Sequence, residues 1–179
     1  VEAGVEYFRP NLWPNTPDIL PFHLQGAARE AFALRAVLAA TMGASWGVYG
    51  PAFELGENRP VAEGREEYLD SEKYQLRRWD RSDPTSLRWQ LTELNAIRQE
   101  SPALQQNRTL HVHRTSDEHL VAYSKAAPAP SPDVVLTVVN LDPHHPRAGT
   151  TDLDLWALRI DPGRPFLVHD LLGGETYRW

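Results

Sequence analysis

Apolar residues at helical spacing, Ala27, Ala31, Leu34, Leu38 and Met42, predict a helix over 23–43, and Phe32, Val37 and further alanines widen its buried face. Gly43 supplies the stop. One turn later Ser45-Trp-Gly-Val-Tyr49 reads as a strand, and Val5-Glu-Tyr-Phe-Arg9 reads as another ahead of the helix. A helix between two short strands is the pattern of a crossover into a parallel sheet. Asp83-Pro84 pairs an acidic N-cap with proline at the first helical position and opens a second helix. Its stripe is Leu87, Leu91, Leu94 and Ile97, and it stops after Glu100 at Ser101-Pro102. Residues 10–21 are a loop in which Pro10, Pro14 and Pro17 forbid regular pairing. Residues 50–82 show no period, and a loop of that length is expected to be functional or disordered. Its aromatics Phe53, Tyr68, Tyr74 and Trp79 favour order.

Past residue 104 the period changes from helical to alternating. Leu110–Arg114, His119–Ser124, Val134–Asn140, Leu153–Leu158 and Phe166–Asp170 read as strands, with Gly, Pro or Asp turns around them and the Pro/Ala segment 126–132 between two of them. Strands without intervening helices predict an antiparallel β-sandwich. The expected division is therefore an α/β part over 1–104 and a β-sandwich over 105–179. Two βα units cannot close a barrel, and parallel strands need both faces covered, so the first hundred residues read as the last quarter of a larger α/β domain. The chain starts at Val1 and stops at Trp179, early in another predicted strand after Gly173-Gly174, so a fragment of a longer protein is expected.

Composition narrows the classes. Hydrophobic residues make up 41%, enough for a sizeable core, and the net charge of −6 argues against nonspecific binding to nucleic acid or an anionic membrane. With no cysteine, disulfides and thiolate metal sites are excluded. No apolar run is long enough to span a bilayer and no signal-peptide pattern is visible, so a cytoplasmic protein is expected.

Asp18 is the sharpest candidate for chemistry. It ends the loop after the first predicted strand, just before the helix. Such a carboxylate caps a helix or closes an Asx-turn, the commoner use of Asp in this setting. It can equally be a catalytic or sugar-binding group at the mouth of an α/β barrel. Lys73 and Tyr74 offer an ammonium for phosphate or sugar hydroxyls and a ring for sugar stacking, or simply an exposed lysine beside a packing tyrosine. Glu54, Glu57, Glu63, Glu66 and Glu67 read as a solvated acidic face. His111, His113, His144 and His145 lack a third ligand at zinc spacing, so they read as surface polar residues and no metal is expected. Phosphate-loop, dinucleotide and Gly-x-Ser-x-Gly patterns are absent, and no cofactor is expected.

Phe8-Arg-Pro-Asn-Leu-Trp-Pro-Asn-Thr-Pro-Asp-Ile-Leu-Pro21 resembles the fourth signature region of the alpha-amylase superfamily. It is closest to the bacterial maltosyltransferases of that superfamily, in which Asn-Thr-Pro-Asp, here Asn15 to Asp18, stands in place of Asn-His-Asp. Tyr49-Gly-Pro-Ala-Phe-Glu-Leu-Gly-Glu-Asn58, Glu66-Glu-Tyr-Leu-Asp-Ser-Glu-Lys-Tyr74 and Leu94-Asn-Ala-Ile-Arg-Gln-Glu-Ser-Pro-Ala-Leu104 carry the same resemblance. It implies strands seven and eight with their helices from a (β/α)8 TIM barrel, followed by an antiparallel β-sandwich domain. It further implies retaining maltosyl transfer from α-maltose 1-phosphate to α-1,4-glucan with release of phosphate, by a homodimer. Asp18 is then the transition-state-stabilising third carboxylate, and Lys73 and Tyr74 contact the donor. The nucleophile and acid/base lie on barrel strands four and five in this superfamily, upstream of Val1, so the chain alone is expected to be inactive. The alternatives are a hydrolase or trehalose-forming isomerase of the superfamily, and a non-catalytic glucan-binding domain. Loss of the histidine of Asn-His-Asp favours the transferase.

Overall fold

The computed structural model describes residues 7–179. Strand β1 is Asn11–Leu12, helix α1 is Arg29–Met42 and strand β2 is Ser45–Trp46. The two strands pair in parallel, Asn11 against Ser45 and Leu12 against Trp46, across the helical crossover that the pattern predicts. A short helix α2, Gly50–Glu54, and helix α3, Arg88–Glu100, follow. Strands β3 (His111–Thr115), β4 (Leu120–Ala126), β5 (Val134–Asn140) and β6 (Thr151–Asp152) form one antiparallel sheet in the order β5-β4-β3-β6. Strands β7 (Leu167–His169) and β8 (Thr176–Arg178) make a separate antiparallel hairpin. The β-rich C-terminal part is therefore antiparallel, as its alternation predicts.

Several boundaries differ from expectation, each for a local reason. Of the strand expected at 5–9, residues 5 and 6 lie outside the described residues, and residues 7–9 are turn and coil; pairing begins only at Asn11. The helix expected from residue 23 starts at Arg29, because Phe22–Leu24 winds as a 3-10 turn and Gly26 takes a left-handed φ of 65°. Asp83 does not cap α3. Its carboxylate accepts from the Thr85 backbone N–H (2.7 Å) and hydroxyl (2.7 Å) in a turn of its own, and the N-cap position falls to Leu87. The strand expected at 153–158 is instead a helical turn, because the Asp154 carboxylate takes the N–H groups of Trp156 and Ala157, both at 3.0 Å. Only Thr151–Asp152 pair with β3.

The principal core gathers Leu20, Leu24, Phe32, Phe53, Tyr68 and Leu94 between α1, α2, α3 and the long loop. Phe32 and Phe53 meet with ring centroids 5.2 Å apart. A smaller cluster joins Ala103, Leu104, Ala127 and Val135, with Ile97 of α3 packed against it. Helix α1 has no basic residue in its last turn, and its terminal carbonyls are met from outside. The buried Arg98 guanidinium of α3 donates to the carbonyls of Ala40, Gly43 (3.2 Å) and Ala44 (2.8 Å). The Thr41 hydroxyl meets the Tyr123 hydroxyl at 2.6 Å, which ties α1 to β4. Close packing requires glycine at 47, where a Cβ would stand 2.4 Å from the Trp13 ring.

Two expected surface groups are buried. His113 is 5% exposed; its Nε2 pairs with the Ser124 hydroxyl at 2.9 Å and its Nδ1 accepts from the Asp154 N–H at 3.2 Å. Burial, and then the neighbouring His111, pushes its pKa down. Glu57 is not part of a solvated face: it is 9% exposed and paired with Arg59 and Arg77. Lys125, 1% exposed, directs its ammonium to the Leu104 carbonyl at 3.5 Å, and burial, followed by the charge of Arg98, pushes it down to about 8. Among the described residues no helix is long and apolar enough to cross a membrane.

Candidate functional site

Asp18 sits at the tip of a tight turn. Thr16 and Ile19 exchange backbone hydrogen bonds of 3.1 and 3.2 Å, so Pro17 and Asp18 project from the loop. The turn is held at both ends. Asn15 before it is buried, and the fully buried Leu20 after it donates its N–H to the Glu66 carbonyl at 2.6 Å. The 3-10 turn that follows has Pro21 at its N-cap without a side-chain cap bond, so Asp18 is not its cap.

Lys73 and Tyr74 project from a second turn. The Ser71 carbonyl accepts the N–H groups of Tyr74 and Gln75, both at 3.0 Å, and the Ser71 hydroxyl accepts that of Lys73 at 3.3 Å. Asp70, with φ of 54°, supplies the left-handed step into this turn. Though remote in sequence, the two turns meet. The Lys73 Nζ lies 3.6 Å from the Asp18 Oδ1 and 5.4 Å from the centroid of the Tyr74 ring. The three residues singled out from the sequence are thus gathered at one exposed place. The Lys73 ammonium is held above the ordinary lysine pKa, first by hydrogen bonding to Tyr74 and then by the Asp18 charge. An exposed ion pair of this kind is screened by solvent and contributes little to stability, so other contacts must hold the two turns together.

Those contacts lie underneath and escape any spacing rule. The Asn15 amide donates to the Tyr68 hydroxyl at 2.8 Å, and its carbonyl oxygen accepts the Tyr49 N–H at 2.9 Å. The Tyr49 hydroxyl donates to Glu72, whose other oxygen accepts the Trp79 indole N–H at 3.0 Å. The hydroxyl of Tyr49 is raised well above the usual phenol value, chiefly by burial and then by Glu72. Tyr68 is pushed up to about 12 by burial. Below them Arg77 stacks on Trp79, 4.0 Å from the ring centroid, and bonds Glu57 at 2.7 Å. Burial alone would raise the Glu57 carboxyl, but hydrogen bonds from Arg59 and Arg77 outweigh it and hold it at about 2. The long irregular loop is ordered by these side chains more than by backbone ladders. Chemically, the exposed cluster offers one anion, one cation and one aromatic face, a set suited to sugar hydroxyls and to charge developing on a sugar ring.

Comparison with known proteins finds relatives of the whole chain. A protein of Streptomyces coelicolor named alpha-1,4-glucan:maltose-1-phosphate maltosyltransferase 1 is 50% identical over 180 aligned residues, covering 98% of this chain and 26% of that protein. The chain is a relative of these maltosyltransferases. Bearers of the same name in Mycolicibacterium smegmatis and Chlorobaculum tepidum are 49% and 43% identical, each over 97% of this chain. Residues 112–179 also match the family described as GLGE, C-terminal. The chain spans about a quarter of the length of the curated relatives it matches. The maltosyltransferase similarity therefore takes in both the turns bearing Asp18 and Lys73 and the antiparallel sheet.

Proposed function

We propose that this chain is part of an enzyme that transfers maltosyl units from α-maltose 1-phosphate to the non-reducing end of α-1,4-glucans, releasing phosphate with retention of configuration. The observation that carries the reading is the meeting of Asp18, Lys73 and Tyr74 across the two turns, with the Asp18 and Lys73 charges 3.6 Å apart. The names borne by the relatives supply the substrates. In this reading residues 1–104 contribute strands seven and eight of a (β/α)8 barrel, with residues 105–179 as the adjoining β-sandwich domain. Asp18 then stands at the C-terminal mouth of a barrel strand, where such folds place catalytic groups.

Retaining transfer needs a nucleophilic carboxylate and an acid/base about 5 Å apart, passing through an oxocarbenium-like transition state. Asp18 would hold sugar hydroxyls and stabilise that positive charge, while Lys73 and Tyr74 hold the donor sugar. Nucleophile and acid/base belong, on this reading, to the part of the relatives that this chain does not span. The same reading makes the working enzyme a cytoplasmic homodimer. The test is phosphate release from α-maltose 1-phosphate with glycogen as acceptor, measured on the full-length protein containing this chain. Product growing by two glucose units supports the reading; hydrolysis to maltose alone, or no release, overturns it. Residues 1–179 alone should release none.

A further inference from the structure

The contacts beneath the two turns close into a ring. Asn15, 1% exposed, receives the Tyr49 N–H at 2.9 Å and donates to the Tyr49 carbonyl at 3.3 Å and the Tyr68 hydroxyl at 2.8 Å. Tyr49 reaches Glu72 through its hydroxyl, and Trp79 fixes the second Glu72 oxygen at 3.0 Å. Glu72 is bonded in sequence to Lys73, Lys73 stands 3.6 Å from Asp18, and the Asp18 turn leads back to Asn15. We infer that Asn15, Tyr49 and Glu72 are positioning residues, which set the separation of Lys73 and Asp18 for the donor sugar; this rests on the proposed function.

The chemistry of Glu72 makes the inference specific. A carboxylate has acceptors on both oxygens and can take a phenol O–H and an indole N–H together. Methionine at this position keeps the length of the side chain but has no oxygen to accept either donor, whereas glutamine could still take the indole N–H and donate to the phenol oxygen, so Glu72→Met opens this leg of the ring without a large cavity. Phenylalanine at 49 removes the same leg from the other side and keeps the aromatic ring. Neither residue has to touch the donor for its loss to be felt at Lys73, because it acts on the backbone turn from which Lys73 projects.

The experiment uses the full-length protein with Tyr49→Phe, Glu72→Met and the double variant, with α-maltose 1-phosphate and glycogen as substrates. Each single variant should raise KM for the donor about five- to tenfold, leave KM for glycogen unchanged, and shift Tm by no more than about 2 °C. The double variant should be no worse than the more affected single, since both cut one leg. A second readout needs no turnover: acetylation of Lys73 by acetic anhydride, followed by peptide mass spectrometry. It should speed up severalfold in each variant, as the ammonium is released from Asp18 and Tyr74. Unchanged donor KM with unchanged Lys73 labelling overturns the inference. An equal rise in both KM values together with a fallen Tm also overturns it, as the residues would then be merely structural. If the wild-type protein releases no phosphate, the proposed function fails, and the labelling rates alone decide whether the ring positions Lys73.

Discussion

The two ends of the chain are held together by different means. Strands β4 and β5 pair without a break from Leu120 against Asn140 to Ala126 against Val134, so backbone hydrogen bonds set their register. The turns bearing Asp18 and Lys73 have almost no ladder; the isolated bridges Thr16–Ile19 and Pro60–Tyr68 are small, and beside the Leu20–Glu66 backbone bond it is side chains that fasten them. A ladder tolerates change in any one side chain. A fastening of single carboxylates, amides and phenols concentrates both stability and geometry in a few replaceable groups. That arrangement suits a site whose exposed groups must sit at fixed separations on irregular backbone.

The contrast can be sharpened experimentally. The largest effect is expected at Asp18, which is exposed and, in the proposed function, stabilises the transition state. Asp18→Asn in the full-length protein should lower kcat for phosphate release by about 100-fold or more, with Tm unchanged within about 1 °C; near-normal turnover would leave it no catalytic role. Glu57→Gln should cost about 3 kcal/mol in urea unfolding, as Arg77 loses its buried partner. The Glu57 carboxyl titrates near 2 in the folded protein against an ordinary 4.5. Its contribution is therefore full above about pH 4.5 and is lost as pH falls toward 2, and the Gln variant should flatten that part of the stability profile. In the sheet the sign reverses. Lys125 titrates near 8 when folded and near 10.5 when unfolded, so between these values the unfolded chain binds the extra proton and stability rises with pH. Lys125→Met should abolish that rise and stabilise the protein at pH 7 by about 2 kcal/mol. The smallest effect is expected for Tyr123→Phe, which removes one hydrogen bond to Thr41 and should cost about 1 kcal/mol in the same assay. If the sheet substitutions prove as damaging as Glu57→Gln, the distinction between ladder and fastening fails.

What the sequence revealed follows the same division. Val134–Asn140 was readable to its ends because an apolar, β-branched run carries its own signal. Helix α1 was readable from its stripe, though not its start, since a left-handed glycine and a 3-10 turn intervene ahead of Arg29. Misreadings gather where a short polar side chain competes with the ladder or helix. Asp154 turned an apparent strand into a helical turn, and Asp83 spent its carboxylate on Thr85 instead of α3. Burial of Glu57 and His113 was invisible because the nearby Arg59 pairs with Glu57 at the surface as readily as in the interior, while Arg77 and Ser124, the partners that bury them, are further along the chain. Asp18, Lys73 and Tyr74 could be named from motif resemblance. That Asp18 meets Lys73, and that Asn15, Tyr49 and Glu72 lie beneath them, is decided by the tertiary fold, as no periodicity encodes a meeting of two loops.

The exposed pairing of Asp18 with Lys73 has a consequence for chain entropy. Closing a loop of roughly fifty residues costs on the order of 3.5 kcal/mol, several times what a solvated ion pair returns. Alone, the two charges would spend most of their time apart. With the intervening chain already condensed around Phe53 and Tyr68, that closure cost is met when the protein folds, and a donor sugar bound at the pair, as proposed, would not bear it again.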